Sequence, residues 1–224
     1  MAPEKKQRKR FAIIGLGILG NSIAKTLSNE GAEVIVLDKN MKLIESIKDE
    51  VHVAVQCDST DRETLEQLGI AEVDAAMVCI GEDFQSAVLT TANLIDLKVK
   101  RIAVRAVNEM AASIFKRLGA HDIFFVESEM GVEIAHKLFR PSILQEMAIG
   151  GGYRIIQWQP PQTFVGKSLA ELALPKSFNV QVIAIKSATE ESAVQIPSAT
   201  SVIQRGERLM VCGHENDLHR LVTT

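Results

Sequence analysis

The segment Gly15-Leu16-Gly17-Ile18-Leu19-Gly20 constrains this chain more than any other. It directly follows the apolar run Phe11 to Gly15 and opens a stretch with helical period. A G-x-G-x-x-G between a strand and a helix is the signature of a nucleotide-binding crossover. Gly15 permits the tight turn, Gly17 lets main-chain N–H groups approach phosphate oxygens, and Gly20 allows the helix to pack closely on the strand. The helix opening at Ile18 and Leu19 adds unpaired N–H groups and the positive end of its dipole.

The rest of the first half continues the pattern. Short apolar runs recur at Val34 to Asp38, His52 to Gln56, Ala75 to Ile80, Ile102 to Arg105 and Ile123 to Val126. Being continuously apolar, they suit a sheet buried on both faces. The stretches between them carry apolar stripes: Ile23, Ala24 and Leu27; Ala87, Leu94 and Ile95; Ile114 and Leu118. Alternation of this kind predicts a Rossmann-type doubly wound parallel sheet, with its ligand outside the carboxyl ends of the strands. We assign residues 11–140 to this α/β domain and 1–10 to a basic flexible tail that includes Lys5, Lys6, Arg8, Lys9 and Arg10.

Gly150-Gly151-Gly152 then reads as a hinge, preceded by a short helix, so residues 141–152 are expected to be a linker. Beyond it, strands are expected at Arg154 to Gln159, Val180 to Lys186 and Arg208 to Cys212, with helices at Ser168 to Leu172 and Asn216 to Leu221. Residues 153–224 therefore form a small α+β domain.

The candidate site gathers at the carboxyl ends of the first-domain strands. Asp38 stands about 20 residues beyond the glycines, where an acid accepts hydrogen bonds from both hydroxyls of an unphosphorylated ribose. Lys39 beside it keeps a 2′-phosphate in play, and a cap for the helix from Met41 is the lesser reading of Asp38, compatible with the ribose role. Asp58-Ser59-Thr60 reaches the edge where an adenine lies, and reads equally as a helix cap. Ile80-Gly81 and Arg105 meet the same edge, and Arg105 is placed to pair with phosphate or to form a surface ion pair. Glu127 opens a helix with an apolar face of Met130, Ile134 and Leu138. It stabilises the helix dipole or, functionally, ligates a Mg²⁺ or Ca²⁺ bound with the nucleotide.

Several classes of function are disfavoured. A net charge of −3 gives no overall footprint for nucleic acid. No apolar run approaches the ~20 residues of a spanning helix, so the chain is expected not to cross a membrane itself. Cys57, Cys79 and Cys212 read as reduced core thiols of a cytoplasmic protein. The histidines show no metal-ligand spacing, and Gly166-Lys167-Ser168 lacks the upstream glycine of a phosphate-binding loop, having Pro161 there. Tyr153 is followed four residues on by Gln157 and not by lysine, so the short-chain dehydrogenase pairing is absent and an enzyme is not expected.

The ordered set of Gly15, Gly17 and Gly20, Asp38, Asp58-Ser59-Thr60, Ile80-Gly81 and Glu127-x-x-Met130-Gly131 resembles the regulatory subunits of bacterial Ktr/Trk potassium-uptake systems. Phe164 to Leu172, Val182 to Lys186 and Gly206 to Gly213 resemble the C-terminal half of such RCK (regulator of potassium conductance) proteins. The resemblance implies homodimers assembled into a ring, usually an octamer, docked from the cytoplasm on a membrane potassium-translocating subunit and switched by exchange of ATP and ADP. It implies that the glycine turn, Asp38, Asp58 and Arg105 hold the nucleotide and that Glu127 lies near the cation and phosphates. One departure stands out: KtrA-like proteins commonly carry arginine at the fourth position of the glycine turn, where this chain has Ile18. That keeps NAD(H), AMP and ADP open as ligands beside ATP. In some relatives the C-terminal domain binds cyclic di-AMP near the strand matching Val182 to Ile185 with Pro197; here those residues read as core or dimer contact.

Overall fold

The computed structural model describes residues 8–187 and 194–223, which fall into two units, Met1–Glu129 and Met130–Thr224. Lys5 and Lys6 of the expected tail lie outside the described residues. Arg10 belongs to the first strand and not to the tail, where it meets Glu33 and Glu72 in ion pairs.

The first unit holds six parallel strands: β1 (Arg10–Ile14), β2 (Glu33–Asp38), β3 (Val53–Gln56), β4 (Ala75–Val78), β5 (Ile102–Arg105) and β6 (Asp122–Phe124). Their spatial order is β3-β2-β1-β4-β5-β6, all parallel. This is the Rossmann order, and strand direction along the sheet reverses its sequence between β1 and β4. Successive side chains in a strand point to opposite faces, so each strand feeds two cores. Ile13, Val34 and Val36 pack on one face with α1 (Ile18–Asn29) and α2 (Met41–Ile47). Ala12, Ile14, Ile35 and Leu37 pack on the other with α3 (Arg62–Gln67), α4 (Phe84–Asp96) and α5 (Glu109–Leu118). Full burial of one such aliphatic side chain contributes about 1.5–3 kcal/mol, which explains the continuous apolarity of these strands.

Val126 does not close β6 but starts α6 (Val126–Phe139). That helix buries none of its residues, and Met130, Ile134, Leu138 and Phe139 are between 48% and 79% exposed. The division between units falls within it, ahead of residue 140 where the sequence pattern placed the end of the domain.

The second unit contains the antiparallel sheet β10-β9-β11-β8-β7, built from β7 (Ile143–Gly150), β8 (Tyr153–Trp158), β9 (Gln181–Lys186), β10 (Val194–Gln195) and β11 (Arg208–His214). Helices α7 (Leu169–Leu172), α8 (Leu174–Phe178) and α9 (Glu215–Val222) complete it. Trp158, Phe164, Ile185, Leu209, Val211 and Leu221 form its core, with the rings of Trp158 and Phe164 meeting edge to face. The expected linker 141–152 is corrected here: it is strand β7 and a hairpin turn into β8. Gly150, Gly151 and Gly152 all have positive φ, a run that favours glycine, and it turns the chain back into β8. Leu144, Gln145, Glu146, Met147 and Ala148 favour helix locally, but pairing with β8 overrides that preference.

Candidate functional site

At the carboxyl ends of β1, β2, β4 and β5 the first unit opens a cleft of about 400 Å³. Of the residues expected there, Gly15, Gly17, Asp38, Lys39, Ser59, Ile80, Gly81 and Arg105 line it.

The glycines divide their work as their surroundings dictate. Gly15 takes φ +96°, and its N–H donates to the Leu37 carbonyl at 2.8 Å, holding the turn against β2. A Cβ on Gly20 would lie 1.9 Å from the Gly15 carbonyl oxygen, so no other residue lets α1 pack there. Gly17 differs: a Cβ on it would meet nothing within 4 Å. Nothing in the protein itself requires glycine at that point, and the open space lies on the cleft. No side chain caps α1, whose N-cap is Gly17, so its first N–H groups and its dipole are offered to whatever occupies the cleft. Ile18 is 95% exposed beside them, whereas Leu19 and Gly20 pack inward, and none of the three lines the cleft.

Asp38 does more than the sequence pattern implied. Its Oδ2 accepts the Leu16 N–H at 2.6 Å, tying the glycine turn to β2, and its Oδ1 accepts the Asn40 N–H at 2.7 Å. The helix cap expected of it is supplied by Asn40, which accepts from the Lys42 N–H. Each carboxylate oxygen keeps one further acceptor position, enough for two hydroxyl donors.

Asp58 and Thr60 stand outside the cleft lining. Thr60 donates both its N–H and its hydroxyl to Asp58 Oδ1, and these bonds, with Lys39 Nζ 3.4 Å from Oδ2, hold the Asp58 carboxyl below its ordinary range. Asp61, not Asp58, caps α3. Ser59 is buried and shares a 2.8 Å hydrogen bond with Thr90, so its hydroxyl braces the loop. Lys39 also reaches Ser86 at 3.3 Å, and Ser86 donates to Asp83. Asp83 and Ser86, which cap α4, line the cleft and were not among the expected residues; the spacing Asp-x-x-Ser ahead of an apolar helix was their only signal. Cys57 and Cys79 line it too. Burial pushes the Cys79 thiol up to about 12, against a smaller pull downward from Arg105.

Arg105 is the most informative residue of the site. Its guanidinium lies over Gly81, where a Cβ would come within 2.3 Å of Nη1. Nη2 donates to Glu127 Oε1, whereas Nε is buried with no partner. The parallel pairing of β5 with β6 joins these two residues, 22 apart in sequence. Glu127 is therefore engaged by a cation of the chain, and among the described residues no group of three or more His, Cys, Asp or Glu side chains is placed to hold a metal ion. The resemblance sets this acid beside a cation and the phosphates; in this structure its carboxylate accepts from Arg105.

In the second unit, Val182 and Pro197 line a separate cavity of about 380 Å³ with Leu169, Leu174, Lys176 and Gln181. Val182 and Ile185 turn into the core, while Ile183 is exposed. Among the described residues no helix is long and apolar enough to cross a membrane.

Comparison with known proteins agrees with this architecture. Residues 11–126 match the TrkA-N domain family and residues 155–223 the TrkA-C domain family. The Ktr system potassium uptake protein C of Bacillus subtilis is 32% identical, with 95% of this chain and 96% of that protein covered. The Ktr system potassium uptake protein A of Vibrio alginolyticus is 29% identical, with 94% of each covered. Among solved structures, the GsuK channel bound to NAD shares the fold, with a TM-score of 0.55 at 23% identity over 97% of this chain; the chain spans 38% of that channel's length. Taken together with the six-stranded nucleotide-type sheet and the antiparallel second unit, these likenesses make the chain a member of the TrkA family of Ktr/Trk potassium-uptake proteins.

Proposed function

We propose that this chain is the nucleotide-switched regulatory subunit of a Ktr/Trk system, docked from the cytoplasm on a membrane potassium-translocating subunit. The observation that carries the reading is the buried, unpartnered Arg105 Nε beside a cleft whose opposite wall is an uncapped helix N-terminus. A buried donor without an acceptor costs about 1–3 kcal/mol, and an anion supplied from the cleft would remove that cost. A diphosphate between α1 and Arg105 would meet main-chain N–H groups on one side and a guanidinium on the other, and the ribose hydroxyls would meet Asp38.

Regulation of this kind needs no catalytic group. Two nucleotides with different affinities for two arrangements of the assembly bias the equilibrium between them, and the membrane subunit reads the outcome. The uncovered apolar face of α6, with Met130, Ile134 and Leu138, supports assembly as a homodimer within a ring, with the octamer as the proposed size. ADP and ATP are the proposed ligand pair. Ile18 favours a second reading, NAD(H), because a γ-phosphate has no charged side chain waiting at that position.

Calorimetry on the full chain with ATP, ADP and NADH decides among these. Binding of ADP and ATP supports the switch, and tight NADH binding without ATP binding replaces it with an NAD(H) sensor. Absence of binding by all three refutes the nucleotide reading, and turnover in a hydride-transfer assay refutes the regulatory one.

A further inference from the structure

We infer that Glu127 is an internal competitor for the phosphate-binding guanidinium of Arg105. The inference rests on the nucleotide reading above.

The Arg105 guanidinium is a planar fork with five N–H donors that matches one carboxylate or one phosphate at each edge. Glu127 accepts from Nη2, and Arg105 Nε remains buried and unsatisfied beside the cleft. Gly81 leaves room for the guanidinium, since a methyl there would overlap Nη1 and Cζ. A phosphate seeking Arg105 must approach the cation that Glu127 already neutralises. Two anions sharing one guanidinium repel each other, the more so because Arg105 is three-quarters buried, with 24% of its side chain exposed.

Glu127 is 58% exposed, so on losing Arg105 it is readily hydrated, and the exchange costs little. Binding phosphate thus uncouples β5 from the first turn of α6. Gly81 is, on this account, a positioning residue that acts through Arg105.

The test is calorimetry with ADP on the full-length protein and on Glu127→Gln, each in Mg²⁺ and in EDTA, with thermal melts to show that the variant is folded. Competition predicts that Glu127→Gln binds ADP roughly three- to fivefold more tightly, the range expected for losing a partly exposed ion pair, equally in both buffers. Gly81→Ala should weaken binding and abolish the gain from Glu127→Gln in the double variant, because both act on one guanidinium. Weaker ADP binding by Glu127→Gln, in either buffer, would overturn the inference, as would unchanged affinity. Failure of the unaltered protein to bind ADP, ATP or NADH would remove the nucleotide reading and this inference together, which distinguishes that failure from the preceding two.

Discussion

Replacing Asp38 by alanine separates two duties that the structure assigns to one carboxylate. The first is internal: the Leu16 N–H donates to Oδ2 at 2.6 Å in a partly buried setting, and the Asn40 N–H donates to Oδ1 at 2.7 Å in an exposed one. A hydrogen bond to a charged group contributes about 1.5–3 kcal/mol, and water replaces the exposed one at a cost of about 0.5 kcal/mol, so the loss is roughly 2–3.5 kcal/mol. For a unit of this size each kcal/mol lowers Tm by about 3–5 °C, giving a fall of about 6–18 °C. The second duty is toward ligand: loss of the charged acceptor for two ribose hydroxyls should cost about 3 kcal/mol, on the order of a hundredfold in Kd for ADP. Differential scanning calorimetry measures the first and isothermal titration the second, at a temperature where the variant remains folded. A folded variant with unchanged ADP affinity would remove Asp38 from the site. An unchanged Tm would show that the Leu16 bond does not hold the glycine turn, and the division of duties would be wrong.

Three further predictions follow from the same geometry. Gly17→Ala and Gly20→Ala should behave oppositely: Gly17 has allowed dihedrals for alanine and no neighbour for a Cβ, so that variant melts as the parent does but binds ADP more weakly, whereas Gly20→Ala forces backbone apart and unfolds at markedly lower temperature in melts without ligand. Asp58 has its folded-state pKa held below the ordinary 3.8, first by Thr60 and then by Lys39, so its contribution is present above that value and is lost as pH falls through the folded pKa. Asp58→Asn should therefore shallow the loss of stability on acidification below about pH 4, a small effect because the group is largely exposed, read in urea melts across pH. Cys79, raised to about 12 by burial, stays protonated at pH 8 and should resist iodoacetamide in the folded protein while becoming reactive in denaturant, as mass spectrometry of labelled peptides will show.

Much of the fold was legible in advance. The six first-unit strands, the glycine turn and the second-unit segments β8, β9 and β11 lie close to where apolar runs and turn residues put them. The failures cluster where local preference and tertiary pairing disagree. Residues 143–150 carry helix-favouring side chains and became a strand because a three-glycine turn folds them back on β8. The short edge strand β10 and the helix α8 gave too little pattern to be seen. At the site, Asp58 reads equally well as a helix cap and Asp38 also offers itself as one, and only the structure shows Asn40 and Asp61 taking those roles.

What the amino-acid order determined by itself is periodic or local: buried parallel strands, amphipathic crossovers, and a turn that only glycines can make. Such features follow from the chemistry of neighbouring residues, so a short window contains them. What only the tertiary structure decided is which distant groups share a partner. Arg105 with Glu127, Lys39 with Asp58 and Ser86, Leu16 with Asp38, and Ser59 with Thr90 are brought together by strand order and not by spacing. Hydrogen bonds and ion pairs act over a few ångströms in space whatever the separation along the chain. The charge state and availability of the site therefore became readable only once the sheet had closed.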